Sequence, residues 1–328
     1  MNKVLQQWVQ QVTNAKSCQC DEVIQSLWSG YGEIIRLRLE GLTVPSVVLK
    51  HIRFPDEARH PHGWHSDFSH QRKVRSYEVE THWYQAFSQY CDARCRAPWC
   101  YQTTTLGEEH LILLEDLDAA GFSQRKTWLN KHELNLCLRW LAHFHATFLG
   151  VNTEGLWPTG SYWHLETRPD EWKAMPNTAL KQAAKSIDAE LEGCQFKSLI
   201  HGDAKVENFC FSDDGRDVAA VDFQYVGGGC GMKDVAYLIG SCLDERQEET
   251  WEDALLDTYF TALRKSLSVL KKDVDTVAME KEWRGLFPVA QADFSRFLAG
   301  WRPDHWKVNR HNQRISQEVA KRLLILDD

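Results

Sequence analysis

Three polar side chains spaced for phosphoryl transfer follow two short apolar runs in the middle of the chain. The runs, Ser198–Ile200 and Val218–Val221, have the length and composition of buried strands. Asp203 follows the first run, Asn208 lies five residues later, and Asp222 follows the second run. In phosphoryl transfer one carboxylate accepts the proton of an attacking hydroxyl, while an amide and a second carboxylate hold magnesium against nucleotide phosphates. The competing interpretation is a hairpin with exposed polar ends, which does not account for the spacing and the strand context together.

The same stretch resembles the catalytic core of the kinase-like small-molecule phosphotransferases. The residues from His201 to Asn208 match the pattern H-G-D-x-x-x-x-N, and those from Asp222 to Gln224 match D-F-Q. Among these proteins, which include choline kinases and aminoglycoside phosphotransferases, the sequence is most similar to the ecdysteroid-kinase-like family. The similarity covers most of the chain, and it implies a fold and a reaction type but no particular acceptor.

The resemblance implies an α+β, bilobal, protein-kinase-like fold with a small antiparallel-sheet N-lobe and a larger, mostly helical C-lobe. Residues 1–116 are expected to form the nucleotide-binding lobe, and residues 117–328 the lobe that holds the catalytic residues and the acceptor. The boundary follows a predicted strand, His110–Leu114, at the position of the family's hinge. The backbone of Glu115 and Leu117 is therefore expected to contact the nucleotide base. The sequence does not distinguish ATP from GTP as the nucleotide.

A glycine-containing hairpin and a strand-borne lysine complete the expected nucleotide site. The sequence predicts an extended stretch, Ile34–Leu39, that turns back into Val47–Ile52. The resemblance implies that Gly30 and Gly32 lie over the nucleotide phosphates, although glycines at a turn are weak evidence alone. It also implies that Lys50 binds the α- and β-phosphates; a lysine on the solvent face of an edge strand is the structural alternative.

Two more charged residues are assigned by their place in the family pattern. The partner of Lys50 is expected on a helix predicted over Arg72–Tyr90. Glu80 matches the family's E-x-x-[FW]-Y pattern on that helix, and Glu78 is the competing candidate. Lys205, two residues after the expected catalytic aspartate, is expected to neutralise charge on the transferred phosphoryl group.

Composition limits the classes of partner and compartment. The 328-residue chain is long enough for two lobes with separate cores, and its net charge of −8 argues against nucleic acid and anionic membranes as partners. The sequence shows no apolar run of membrane-spanning length and no signal-peptide core near the N-terminus. Ten cysteines without CxxC pairs indicate a reduced, cytoplasmic enzyme. The expected partner is a small-molecule alcohol, and the oligomeric state stays open.

Helices are predicted for much of the remaining chain. Residues 1–28 are expected to form one or two helices, and Trp128–Gly150 forms a strongly amphipathic pattern. His143 and His145 lie on that second helix and are interpreted as packing or hydrogen-bonding residues. The C-terminal stretch, Glu249–Leu326, is predicted to be helical, with no internal repeat.

A run of glycines, Gly227–Gly231, contains one cysteine and precedes a helix predicted over Lys233–Cys242. Glycines between a strand and a helix suggest a dinucleotide-binding fingerprint. That hypothesis is rejected because the third glycine of the fingerprint would fall on Asp234. The resemblance implies instead that Asp234, in a D-x-A pattern, braces the catalytic loop.

Two further segments suggest ligand sites but also have ordinary structural explanations. The segment Phe54–His70 invites a metal-binding hypothesis, although a polar loop is the favoured interpretation; its histidines are His60, His62, His65 and His70. The irregular segment Gly155–Met175 is rich in tryptophan, and a box of aromatic rings could hold a quaternary ammonium group. Structural use of these tryptophans is the default, and a second aromatic patch lies at Trp301–Trp306.

Three alternatives to a small-molecule kinase are weighed. A protein kinase is disfavoured because Gly202 replaces the arginine of H-R-D, Gln224 replaces the glycine of D-F-G, and no A-P-E follows. A non-catalytic nucleotide-binding scaffold is disfavoured because every chemical group of the reaction is present. Transfer of the nucleotide, in place of the phosphoryl group, stays open at low weight.

Overall fold

The computed structural model describes residues 3–27, 30–54 and 67–327. Contacts between Cα atoms divide the chain into two compact units, here called the sheet unit and the helical unit. The sheet unit comprises Met1–Asp92, Arg96–Gln124 and Cys210–Gln224. The helical unit comprises Ala93–Cys95, Arg125–Phe209 and Tyr225–Asp328. Within the described residues, no helix is both long enough and apolar enough to cross a membrane.

A five-stranded antiparallel sheet, in the order β1-β2-β3-β5-β4, forms the centre of the sheet unit. Its strands are β1 (Ser17–Ser26), β2 (Gly32–Glu40), β3 (Ser46–Ile52), β4 (Cys100–Leu106) and β5 (Glu109–Glu115). Along β2, apolar residues alternate with polar ones, so Leu37 and Leu39 enter the core, where they join Leu49 and Leu111. The predicted hairpin and the strand predicted over His110–Leu114 are confirmed.

The N-terminal segment differs from its predicted structure. The sequence predicts one or two helices over residues 1–28, but among the described residues of that stretch only α1 (Lys3–Thr13) is a helix, and Ser17–Ser26 forms β1. Asn14 adopts a left-handed conformation with φ = +59°, which ends the helix. As an edge strand, β1 buries only Cys18 and exposes its polar residues, so it lacks the apolar alternation of a central strand.

Residues from late in the chain complete the sheet unit. The short strands β7 (Phe209–Phe211) and β8 (Val218–Ala220) pair with each other. Beyond β8, the ring of Phe223 stacks on Trp83, with centroids 4.6 Å apart. Trp83 begins a π-helical turn that continues α2 (Asp67–His82). A lobe boundary at residue 116 stays a prediction, whereas the compact units divide the chain differently because Cys210–Gln224 packs within the sheet unit.

The helical unit is built mainly from eight described helices. They are α3 (Lys131–Thr147), α4 (Pro169–Ala174), α5 (Ala179–Gln182), α6 (Ala184–Glu192), α7 (Met232–Cys242), α8 (Glu245–Val269), α9 (Thr276–Trp301) and α10 (Arg310–Asp327). Capping boxes begin α3, with Asn130 and Glu133, and α8, with Asp244 and Gln247. The helices predicted over Trp128–Gly150 and in the C-terminal stretch are confirmed.

A two-stranded ribbon leads into the loop His201–Asn208 of the helical unit. This segment is called the catalytic loop here because it carries the predicted base, Asp203. In it, β6 (Ser198–Ile200) pairs antiparallel with β9 (Gly227–Gly229). Gly202, just after β6, has φ = +78°, and a β-carbon there would lie 2.1 Å from the carbonyl oxygen of Tyr225. Only glycine fits this turn, because any side chain would be both strained and in collision with the backbone.

Candidate active site

The centre of the sheet unit holds a buried lysine between two carboxylates. Lys50 lies in β3 and is only 4% exposed. Its Nζ donates to Glu80 Oε2 of α2 at 2.6 Å and to Asp222 Oδ1 at 3.4 Å. Glu78, the competing candidate, instead forms an exposed ion pair with Arg75 at 3.2 Å. In this structure, therefore, Glu80 is the glutamate that pairs with Lys50.

The two carboxylates keep this buried ammonium charged. Burial alone lowers the pKa of Lys50, but the nearby charges of Glu80 and Asp222 outweigh it and raise the pKa above its usual value. A fixed positive charge with this support is suited to hold phosphate oxygens.

Asp222 has a strained backbone and a partly accessible carboxylate. Its φ is +69°, and its side chain is 33% exposed although it contacts Lys50. The next two residues anchor it, since Phe223 stacks on Trp83 and Gln224 Oε1 accepts a hydrogen bond from Lys73 Nζ at 2.7 Å. A strained, well-anchored and accessible carboxylate is typical of a ligand-binding position.

The two candidate glycines differ in their structural reasons. Gly32 has φ = +123°, and a β-carbon there would lie 2.0 Å from the carbonyl oxygen of His51 in the neighbouring strand. Gly30 has φ = +78° and open space where a β-carbon would be. Close strand pairing therefore explains Gly32, while Gly30 is required only by its backbone conformation.

Glu115 and Leu117, the expected hinge residues, already use some of their backbone groups in hydrogen bonds within the protein. The backbone N–H of Glu115 donates to the carbonyl oxygen of Trp99 at 2.8 Å, and its carboxylate accepts from Arg96 at 2.6 Å. Leu117 is buried, and its carbonyl oxygen accepts from the N–H of Phe122 at 2.8 Å. The Glu115 N–H is thus committed to the sheet unit's own structure.

In the helical unit, the catalytic loop brings three of the predicted residues together. Asn208 Nδ2 donates to the carbonyl oxygen of Asp203 at 2.8 Å and to its carboxylate Oδ2 at 3.0 Å. Lys205 Nζ donates to the same Oδ2 at 3.1 Å. These bonds fix the carboxylate of Asp203, and they leave Oδ1 of Asn208 as the amide atom suited to a cation.

A buried aspartate holds the catalytic loop from the helix behind it. Asp234, in α7, accepts from the N–H of His201 at 2.6 Å and from that of Gly202 at 2.9 Å. His145 Nε2 lies 3.1 Å from Asp234, and its Nδ1 lies 2.7 Å from the hydroxyl of Tyr259. This network gives Asp234 the bracing position that the resemblance implied and gives His145 the hydrogen-bonding role expected of it.

Two tyrosines lie beside the catalytic loop. The N–H of Tyr162 donates to the carbonyl oxygen of Gly202 at 3.1 Å, and its hydroxyl lies 3.1 Å from that of Tyr237. Burial raises the pKa of Tyr162, and the nearby Asp203 carboxylate adds to this effect. Tyr237 was not predicted; its place one helical turn after the start of α7 was the available signal.

A lysine that sequence analysis also missed fills a cluster of aromatic rings. Lys307 Nζ lies 4.8 Å from the ring centroid of Tyr237, 5.5 Å from that of Phe294 and 5.6 Å from that of Trp306. Burial lowers the pKa of Lys307 to about 8, with the carboxylates of Glu207 and Asp203 opposing the shift. Its position directly after the aromatic patch Trp301–Trp306 was the signal for it.

Two sequence hypotheses have different outcomes. Trp163 is buried and donates its indole N–H to Asp293 at 3.0 Å, which supports structural use of that tryptophan. His60, His62 and His65 lie outside the described residues, so the metal hypothesis for that segment stays a hypothesis. His70 is described, and its Nδ1 lies 2.5 Å from the hydroxyl of Tyr31.

Replacing the buried partner of Lys50 tests the pairing. Glu80→Gln is expected to destabilise the fold by about 3–5 kcal/mol, because it removes a charge that compensates a buried ammonium. Glu78→Gln on the same helix is the matched control, and it should change stability by less than about 0.5 kcal/mol because its ion pair is exposed. Urea unfolding measures both, and equal effects would contradict the assignment of Glu80.

Three solved structures with the same fold carry the names of small-molecule kinases. A microcompartment-associated aminopropanol kinase aligns with a TM-score of 0.54 and 14% identity, over 98% of each chain. An amicoumacin kinase in complex with AMP-PNP, Ca²⁺ and its ligand aligns with a TM-score of 0.54 and 12% identity, over 98% of this chain and 93% of that one. Choline kinase from Cryptosporidium parvum Iowa II aligns with a TM-score of 0.52 and 11% identity, over 94% and 88%. At these identities the similarity shows the fold alone.

The sequence comparison is more specific. No curated protein matches the sequence. The model of the ecdysteroid kinase-like family matches residues 47–155 and 160–272, which together are more than half of the chain. The chain therefore belongs to the ecdysteroid kinase-like family and is a small-molecule kinase with an α+β, protein-kinase-like fold.

Proposed function

We propose that the protein transfers the γ-phosphoryl group of ATP to a hydroxyl group of a small molecule. The observation that carries the proposal is the cluster in which Lys50 is buried between Glu80 and the partly exposed Asp222. A fixed cation that could hold phosphate oxygens thus lies beside a carboxylate that could bind a metal ion, which supports the proposal. We also assign the backbone of Gly30 and Gly32 to the phosphates.

Two oxygen donors fit magnesium. The carboxylate of Asp222 is accessible, and the orientation of the Asn208 amide presents its oxygen as the donor atom. Carboxylate and amide oxygens are suitable magnesium ligands, and the bound ion would supply positive charge that neutralises the nucleotide phosphates. We assign the adenine contact to the backbone near Glu115 and Leu117. We name ATP and not GTP as the nucleotide because of the family resemblance.

We assign the general base to Asp203. Asn208 and Lys205 hold its Oδ2, so the hydroxyl proton would pass to Oδ1. The hydroxyl oxygen then bonds to the γ-phosphorus, and the bond from that phosphorus to the β–γ bridging oxygen breaks, which releases ADP. Lys205 would counter the negative charge of the transferred group.

Protein substrates and a purely structural role are less well supported. Gln224 accepts hydrogen bonds from Lys73 and Ser76 of α2, at 2.7 Å and 3.3 Å, so the D-F-Q segment is tied to that helix. A scaffold would not need a positioned base beside a metal-binding amide. We infer that the reaction takes place in the cytoplasm, since none of the ten cysteines is part of a disulfide.

We further propose that the acceptor is not a quaternary ammonium compound. The rings of Tyr237, Phe294 and Trp306 already surround the ammonium of Lys307. The hydroxyl of Tyr237 in this cluster lies 3.1 Å from that of Tyr162, whose N–H donates to Gly202 next to Asp203, so the cluster lies near the proposed base. A second cation in the same rings would be repelled, which favours neutral or anionic alcohols.

Removing the base should reduce the rate and leave nucleotide binding intact. Asp203→Asn is expected to lower kcat by about 10²- to 10⁴-fold, because proton transfer from the hydroxyl loses its acceptor. ATP affinity, measured by calorimetry, should change little. Glu207→Gln, an exposed acid on the same loop, is the control and should keep near-normal turnover. Full activity of Asp203→Asn in a screen of alcohols would exclude Asp203 as the base.

Emptying the aromatic cluster should admit cations. Lys307→Met is expected to strengthen choline binding by about tenfold, because the rings then face no internal ammonium. Calorimetric titration of choline measures this, with Lys265→Met, an exposed lysine of α8, as the matched control. Unchanged choline affinity in Lys307→Met would show that this lysine does not control acceptor charge.

A further inference from the structure

A histidine and two acids that have no part in the proposed reaction converge in the helical unit. His164 is only 4% exposed and lies just before a short 3₁₀ turn, Leu165–Thr167. Asp188 and Glu192 lie one turn apart on α6, so they share a face of that helix. One potential ligand atom from each of the three residues lies within 4.8 Å of the others.

Two buried atoms of this cluster lie close together without forming a hydrogen bond. His164 Nδ1 and Asp188 Oδ1 are 3.3 Å apart, and both are buried, yet neither has a hydrogen-bond partner. A hydrogen bond at that distance needs a proton on Nδ1 in line with the carboxylate oxygen, and this arrangement does not provide one. Two ligands of one tetrahedral cation, with bonds of about 2.0–2.1 Å, lie about 3.3 Å apart in this off-axis manner.

The surroundings hold the third donor and orient the ring. Glu192 Oε1 accepts a hydrogen bond from Thr159 Oγ1 at 2.7 Å, which fixes its carboxylate near the histidine. The other ring nitrogen, Nε2, faces Glu166 Oε2 at 3.8 Å and Glu192 Oε1 at 3.9 Å. Glu166, which is not one of the three proposed ligands, faces Nε2 and favours its N–H form, so Nδ1 is left as the metal-binding atom.

The cluster also has uncompensated negative charge. Among the described residues, no lysine or arginine lies within ion-pair distance of Asp188 or Glu192; His164 is the basic residue that they approach. The two carboxylates together carry a charge of about −2. A divalent cation would balance this charge.

We propose that His164 Nδ1 and the carboxylates of Asp188 and Glu192 bind a divalent first-row transition metal such as Zn²⁺. The imidazole ligand favours such a metal over Mg²⁺ or Ca²⁺, which prefer oxygen donors throughout. Water would complete the tetrahedron on the side where Glu192 is exposed.

The site would link α6 to the segment that touches the catalytic loop. Tyr162 donates to Gly202, and Trp163 donates to Asp293 of α9, so the residues directly before His164 are already fixed at two points. Metal binding would fix the segment at a third point. The metal is therefore structural, and it restrains the loop without entering the reaction.

Zinc titration of the full chain without nucleotide tests the site. Wild type should bind one more equivalent than Asp188→Asn, whose side chain keeps its size but loses its charge, and than His164→Gln. Because free cysteines also bind zinc, this difference in stoichiometry is the result that counts. Asp170→Asn, an acid of α4 in the same unit, and Asp222→Asn should both keep the extra equivalent. Equal stoichiometry in wild type and Asp188→Asn would overturn the proposal.

Hydrogen exchange of the wild type gives an independent result that needs no variant. Saturating Zn²⁺ should slow exchange of the amides in residues 162–167 by about tenfold, because opening of the segment would require metal release. Residues of the sheet unit should show no such change. Unchanged exchange in residues 162–167 would overturn the proposal even if zinc binds elsewhere. Neither experiment depends on ATP, so the outcome is separate from that of the proposed kinase reaction.

Discussion

The sheet unit depends on the pairing of one buried ammonium. A charge removed from water destabilises a fold unless partners compensate it, and Lys50 has two, Glu80 and Asp222. Glu80 lies in α2 and Asp222 follows β8. Their contacts with Lys50 of β3 therefore join three segments that are distant in sequence. With the stacking of Phe223 on Trp83, the contact between Asp222 and Lys50 holds Cys210–Gln224 within the sheet unit. The same pairing gives the proposed mechanism its phosphate-binding cation and holds a metal-binding carboxylate beside it.

Features set by local sequence could be predicted. The hairpin of β2 and β3 follows from apolar alternation, and α3 follows from its apolar periodicity and its terminal glycine. The residues of the catalytic loop could be named from motif spacing, since Asp203, Lys205 and Asn208 lie within one short turn and contact each other there. The bracing position of Asp234 came from the family resemblance, because its contacts lie more than thirty residues away.

Features set by packing could not be predicted. Glu78 and Glu80 are two residues apart and point about 200° apart around α2, so helical periodicity alone does not decide which of them faces Lys50; Glu80 was chosen correctly only because it matches the family pattern. The edge strand β1 carries no apolar alternation, because one of its sides has no neighbouring strand. The aromatic cluster around Lys307 and the pair of His164 with Asp188 join residues that are distant in sequence, and no motif marks either.

The mechanism rests on the proposal that Asp222 holds magnesium beside a nucleotide bound by Lys50. Its most direct test is calorimetric titration of ATP into the wild-type protein, once with Mg²⁺ and once with EDTA. The proposed site predicts that Mg²⁺ strengthens ATP binding by at least about tenfold, or about 1.4 kcal/mol, and that Asp222→Asn removes most of this gain. Equal affinity with Mg²⁺ and with EDTA, or no binding of ATP at millimolar concentration, would contradict it.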